Sequence, residues 1–190
     1  LSEHAAELEM LNRATSFLFT TLSDAESFGD MSLRIVEAIR NAFGELSCAV
    51  YRLSDESDLA RVAGQGQFDL PATIAPDVPP IDEVLATESL VWLPEVVSQP
   101  GALWHDAVQS VLLLPITASR KLLGLIIVQS EHPAVFTDQD LQTLLAFVQR
   151  AGTALDNVLL YEEVRNQAQQ LEISVNERTA ELRESQARLL

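Results

Sequence analysis

Few side chains in this sequence could do chemistry, and their spacing narrows the choice further. Its three histidines, His4, His105 and His132, stand too far apart for two imidazoles on one helix face to share a metal ion. Cys48 is the only cysteine, which excludes an internal disulfide and a multi-cysteine metal site. It sits in the apolar run Cys48-Ala49-Val50-Tyr51, where a thiol behaves as a small buried hydrophobe. A single thiol would also leave nothing to resolve the intermediate of a thiol-based reductase. Gly64-Gln65-Gly66 lacks the third glycine and the lysine of a phosphate-binding loop. There is no kinase nucleotide-binding motif and no phosphoacceptor histidine on a dimerisation helix. No catalytic residue and no metal ligand is assigned, and the segment is expected not to be an enzyme. What remains is recognition chemistry. Trp104, Trp92 and Tyr51 can stack on a ring, and His105 can donate to a carbonyl or carboxylate.

The elements that must position these residues are legible from hydrophobic pattern. Leu1 to Leu22 contains neither glycine nor proline, and Leu8, Leu11, Leu18 and Leu22 recur at three-four spacing, as in a coiled-coil seam. Met31 to Phe43 reads as a helix with Leu33, Val36, Ile39 and Phe43 on one face, stopped by Gly44. Ser47 to Leu53 and Leu59 to Ala63 read as a hairpin around a polar turn. Four prolines between Gln65 and Pro80 predict a long irregular loop. A short helix is expected over Ile81 to Glu88, a short strand over Leu90 to Leu93, and a loop through Trp104-His105-Asp106. Val111 to Thr117 and Leu122 to Ser130 are near-continuous Val, Ile and Leu, the pattern of two antiparallel strands buried on both faces. Thr137 then stands as the N-cap of a helix that runs from Asp138 to the end of the sequence. After Tyr161 its apolar positions Val164, Ala168, Leu171, Val175 and Leu182 again alternate three and four apart, in register with Arg178 and Ser185. So narrow a stripe needs a second helix to bury it, because an isolated helix is marginal in water.

Ser110, Pro115-Ile116, Gly124, Val128, Ser130, Phe136-Thr137, Asp140, Ala154, Asn157 and Tyr161 together resemble the C-terminal half of a GAF domain. The run Asn176-Glu177-Arg178-Thr179-Ala180-Glu181-Leu182-Arg183 resembles the signalling helix that leaves bacterial sensor domains toward a histidine kinase or another output module. The resemblance covers about residues 24 to 190. It implies an α+β, GAF/PAS-like fold: a central antiparallel sheet of five to six strands flanked by helices, with long N- and C-terminal coiled-coil helices. The division expected is an N-terminal dimerisation helix over 1–22, a sensory domain over 23–160 and a signalling helix over 161–190, leading to an output domain in cis. GAF domains hold small molecules between the sheet and its loops, so the resemblance makes Trp104, His105, Trp92 and Tyr51 the candidate ligand contacts. The same tryptophans could instead plug an empty pocket. Bilin-binding relatives carry a cysteine beside a histidine in this loop, whereas Trp104 precedes His105 here, so covalent bilin attachment is not expected. The charged motif of cyclic-nucleotide-binding relatives is not apparent either, and the cofactor is left unassigned.

Composition sets the remaining bounds. A net charge of -16, with Lys121 the only lysine, would repel a phosphate backbone or an anionic membrane, so nucleic acid is not an expected partner. After Tyr161, six acids face four arginines, a mixture suited to the outer positions of a helical bundle. No apolar run reaches the ~20 residues that span a bilayer, and the first residues lack the pattern of a signal peptide. The 190 residues therefore read as an excised, cytoplasmic part of a longer signalling protein. The function expected is a sensory and dimerisation module of a sensor histidine kinase. The alternative is a ligand-free spacer or dimer scaffold in a kinase, a diguanylate cyclase or a PAS-containing protein. The partners expected are a second copy, paired through Leu8, Leu11, Leu18, Leu22, Tyr161, Val164, Leu171, Val175 and Leu182, and, on the sensory reading, a small ligand.

Overall fold

The computed structural model describes residues 27–54, 58–97 and 103–188. The expected helix over 1–22, with Leu8, Leu11, Leu18 and Leu22, lies outside the described residues. Helix α1 spans Phe28–Phe43 and begins three residues earlier than the apolar periodicity suggests. The reason is Ser27, whose hydroxyl accepts from the Asp30 N–H at 3.1 Å and satisfies an otherwise free amide of the first turn. Gly44, at φ 89°, ends the helix, and its N–H donates to the Arg40 carbonyl.

Six strands follow: β1 Ser47–Leu53, β2 Leu59–Gln65, β3 Thr73–Ile74, β4 Val91–Leu93, β5 Ser110–Ala118 and β6 Lys121–Ser130. They form one antiparallel sheet in the order β3-β2-β1-β6-β5-β4, with the short helix α2, Ile81–Thr87, between β3 and β4 in sequence. The two-residue β3 lies inside the proline-rich stretch read as irregular. It exists because Leu59 and Ala60 of β2 offer an edge to Ile74 and Thr73. The β5–β6 turn is tighter than the polar tetrapeptide suggests. Ala118 pairs with Lys121, and only Ser119 and Arg120 turn the chain, at φ 51° and 65°, the left-handed geometry that matches the twist of a two-residue hairpin.

Alternation along the central strands sends side chains to two separate cores. On one face Ile126 and Val128 of β6 and Leu112 and Leu114 of β5 pack against α1 and the first turns of α3, through Met31, Ile35, Ile39, Phe147, Ala151 and Leu155. On the other, Tyr51, Val111, Leu113, Leu125 and Ile127 are covered by loops and α2, through Leu70, Ile74, Ile81, Val84, Trp104 and Val108. Burial on both faces explains the near-continuous apolar runs.

Helix α3 spans Asp138–Arg188 and organises the rest. The Thr137 hydroxyl accepts from the Asp140 N–H at 3.2 Å, while the Asp140 carboxylate accepts from the Thr137 N–H at 2.8 Å, a reciprocal cap. At Gly152 the helix touches β5 so closely that an added Cβ would sit 2.3 Å from the Thr117 carbonyl oxygen. Val158 is the last buried residue of the described helix; from there to Arg188 the helix runs on for about 45 Å at the α-helical rise. At the exit point, Glu162 accepts from the Phe28 N–H at 3.2 Å, tying α3 to the start of α1.

Candidate functional site

The loop face of the sheet carries the recognition chemistry. Tyr51 points into it from β1 and is fully buried, and its hydroxyl donates to the Pro71 carbonyl at 2.6 Å, pinning the loop after β2 onto the strand. Burial pushes its phenol up to about 12; the Arg61 guanidinium works against that rise and the Asp69 carboxylate adds to it. Arg61, opposite Tyr51 in the β1–β2 pair, reaches the Asp69 carboxylate at 2.6 Å and the Leu70 carbonyl at 2.5 Å. Its charge is thus engaged within the loop.

Between β2 and this loop lies an open cavity of about 490 Å³, whose walls include Ala49, Arg61, Gly64, Gln67, Phe68 and Asp69. Two backbone features shape it. Gly66, at φ 139°, lets the chain turn against Ser47, where an added Cβ would come within 2.3 Å of the serine Cα. The Ser47 hydroxyl then accepts from the Phe68 N–H at 3.0 Å, which fixes the Phe68 ring over the sheet. That ring stacks on His105, with centroids 5.4 Å apart and planes inclined by 25°. The His105 Nδ1 accepts from the Ala107 N–H at 3.1 Å, which holds the imidazole in place on an exposed residue.

The four candidate contacts are therefore not one cluster. Tyr51, Trp104 and His105 belong to the loop face, with Trp104 only 8% exposed and packed into the core beneath the loops. Trp92 faces the opposite way: it packs edge-on against Phe136, at 5.3 Å, in the core beneath the helices. Phe68 escaped the sequence reading because its place depends on how the loop folds back over β2. The two glycines around Gln65 were the available signal.

Cys48, on the helix-facing side of β1, is buried, and that burial pushes its thiol up to about 12 against a smaller opposing pull from Arg40. A thiol so strongly held in its neutral form is a core group, as its apolar neighbours suggested. Among the described residues no group of three or more His, Cys, Asp and Glu side chains is arranged to hold a metal ion. Nor is any described helix long and apolar enough to cross a membrane.

Among known proteins, a 68-residue segment is 29% identical to the formate hydrogenlyase transcriptional activator of Salmonella typhimurium, covering 36% of this chain and 10% of that protein's length. The fold matches the GAF domain of an Acinetobacter phosphoenolpyruvate-protein phosphotransferase with a TM-score of 0.66 at 17% identity, over 83% of this chain and 98% of that one. It also matches the free methionine-R-sulfoxide reductase of Neisseria meningitidis, solved with its substrate, with a TM-score of 0.69 at 17% identity, over 84% and 93% of the two chains. At these identities the likeness is one of fold. The Neisseria protein nonetheless corrects one expectation. An enzyme is built on this same architecture, so the expectation that the domain is not an enzyme does not stand. The profile of the GAF domain family matches residues 25–156, which takes in both faces of the sheet, the loop-face cavity and the packed turns of α3, and the chain belongs to that family.

Proposed function

We propose that this domain is the sensory module of a multidomain signalling protein, a two-component sensor histidine kinase in the first instance. A small ligand held on the loop face near Trp104 and His105 biases the arrangement of α3, and α3 carries that bias to an output domain in cis. The observation that carries this reading is the continuity of α3. Leu144, Phe147, Val148, Ala151 and Leu155 are buried against the sheet, and the same uninterrupted helix then presents Tyr161, Val164, Leu171, Val175 and Leu182, each more than half exposed. An apolar stripe at heptad spacing, beyond reach of its own core, fits the same stripe of a second copy. The proposed division is a sensory domain up to about residue 160 and a signalling helix beyond it. Pairing through 1–22 belongs to the same proposal.

A second reading, a dimer scaffold that binds no ligand, is favoured by the burial of Trp104, Leu70, Ile81 and Val84 across the loop face. The two readings part on phase. A coiled coil transmits only while its seam keeps register, and two states a few kcal/mol apart suffice for a ligand to shift their populations. In the full-length parent, deleting four residues between Leu171 and Leu182 should lock or invert output, while deleting seven should preserve regulation. Regulated output that survives both deletions would make the helix a passive tether.

A further inference from the structure

Gln129, near the end of β6, is 1% exposed, and among the described residues neither its carboxamide nitrogen nor its oxygen has a hydrogen-bond partner. Its direction follows from the strand: Leu125 and Ile127 point into the loop-face core, so Gln129 points there too. It pairs with Ser47 on β1 and Val111 on β5, and β6 lies between these strands. The Ser47 hydroxyl takes the Phe68 N–H, and the Gln67 carboxamide donates to Glu131 at 2.9 Å. Phe68, anchored at Ser47, comes over from the β1 side, and His105, just before β5, comes over from the other. The two rings stack on each other on the loop face, the side of the sheet to which Gln129 points. Phe68 also lines the open cavity and is only half buried, and His105 is exposed, so the aromatic cap borders solvent.

A buried carboxamide left unpaired costs stability, and native proteins keep such groups where something else completes them. Resting on the ligand-sensing reading above, we propose that Gln129 is the specificity-determining residue of the loop-face site. It reads a neutral ligand that presents a donor and an acceptor side by side, an amide or lactam edge, on a flat ring that slides against Phe68 and His105. A carboxamide offers one donor edge and one acceptor edge and no charge, so an amide edge matches it and a carboxylate would meet only half of it. Charge points the same way, because Arg61 is engaged by Asp69 and the protein carries a net charge of -16.

The test uses matched probes, nicotinamide and uracil against nicotinate and benzoate, on the domain with its side-chain amides followed by NMR. The Gln129 NH₂ pair is assigned by its loss in Gln129→Met, an apolar side chain of nearly the same shape. Nicotinamide or uracil should shift that pair, and Gln129→Met should weaken their binding tenfold or more. The acids should not bind. Without any probe, Gln129→Met should raise Tm by roughly 2–10 °C, since it removes an unmet polar group. Probes that shift the Trp104 or Phe68 signals, leave the Gln129 pair in place and bind Gln129→Met equally well would overturn the assignment while leaving a loop-face site standing. Probes that shift no loop-face signal, or a Gln129→Met variant with unchanged Tm, would show a carboxamide satisfied within the protein and overturn it as well. The wild-type spectra decide even if the variant folds poorly.

Discussion

Replacing Leu171 and Leu182 together by Glu should convert the domain from dimer to monomer without touching its core. The side chains of Leu171 and Leu182 are 66% and 63% exposed in one copy, so about two thirds of each is available to a partner helix. Full burial of a leucine is worth about 2 kcal/mol, which leaves roughly 1.3 kcal/mol per position. A two-fold dimer contains each position twice, so four side chains contribute about 5 kcal/mol. At 1.4 kcal/mol per decade the substitutions should weaken dimerisation by three to four orders of magnitude, and the buried carboxylates would weaken it further. Sedimentation velocity across a concentration series measures this, with circular dichroism and Tm as a check that the core is intact. Ile173→Glu is the control. It removes a side chain of similar size, 51% exposed, from a position off the seam, and it should change the dissociation constant by less than tenfold. Wild type that sediments as a monomer at high micromolar concentration would refute the reasoning. So would a double variant that dimerises within tenfold of wild type.

Gly152→Ala places a methyl 2.3 Å from the Thr117 carbonyl oxygen and must push α3 off β5. Overpacking of this kind costs about 1–3 kcal/mol, so calorimetry should show Tm lower by roughly 2–10 °C, and an unchanged Tm would mean that helix and sheet are less tightly apposed. Cys48 should resist Ellman's reagent at pH 8 in the native protein and react at once in denaturant, because its thiol ionises in the folded state only near 12. The same shift sets a pH dependence. Below about pH 9 the thiol is protonated in both states and the stability is fully present. From there to about 12 the unfolded chain has lost a proton that the native one keeps, so stability falls as pH rises, by up to about 1.4 kcal/mol per pH unit. Urea midpoints at pH 8, 9.5 and 10.5 should show that decline, reduced in Cys48→Ala, with Tyr51 supplying the remainder above pH 10, since its phenol too is raised to about 12.

The sequence by itself determined those features whose cause is local. The apolar runs of β5 and β6, the cap at Thr137 and the absence of proline through α3 rest on near-neighbour propensity, and they locate the hairpin and the long helix to within a residue or two. The exposed stripe of α3 was legible for the same reason: heptad spacing is written in one dimension. Only the tertiary structure decided what depends on segments far apart in the chain. β3 forms because an edge of β2 is free to pair, and the start of α1 is tied to α3 through the Glu162 carboxylate. Trp92 and Trp104 both read as loop-bordering aromatics, yet Trp92 faces the helices from β4 while Trp104 packs into the opposite core from the loop before β5, a distinction that no aromatic count can supply. Gln129 shows the limit most sharply. In sequence it is one polar residue near the end of an apolar strand read as buried on both faces, and nothing there singles it out. Its burial belongs to the fold: β6 lies between β1 and β5, so Gln129 sits in the interior of the sheet on the loop-face side, an arrangement set by the order of strands in the sheet rather than by any neighbour in the chain.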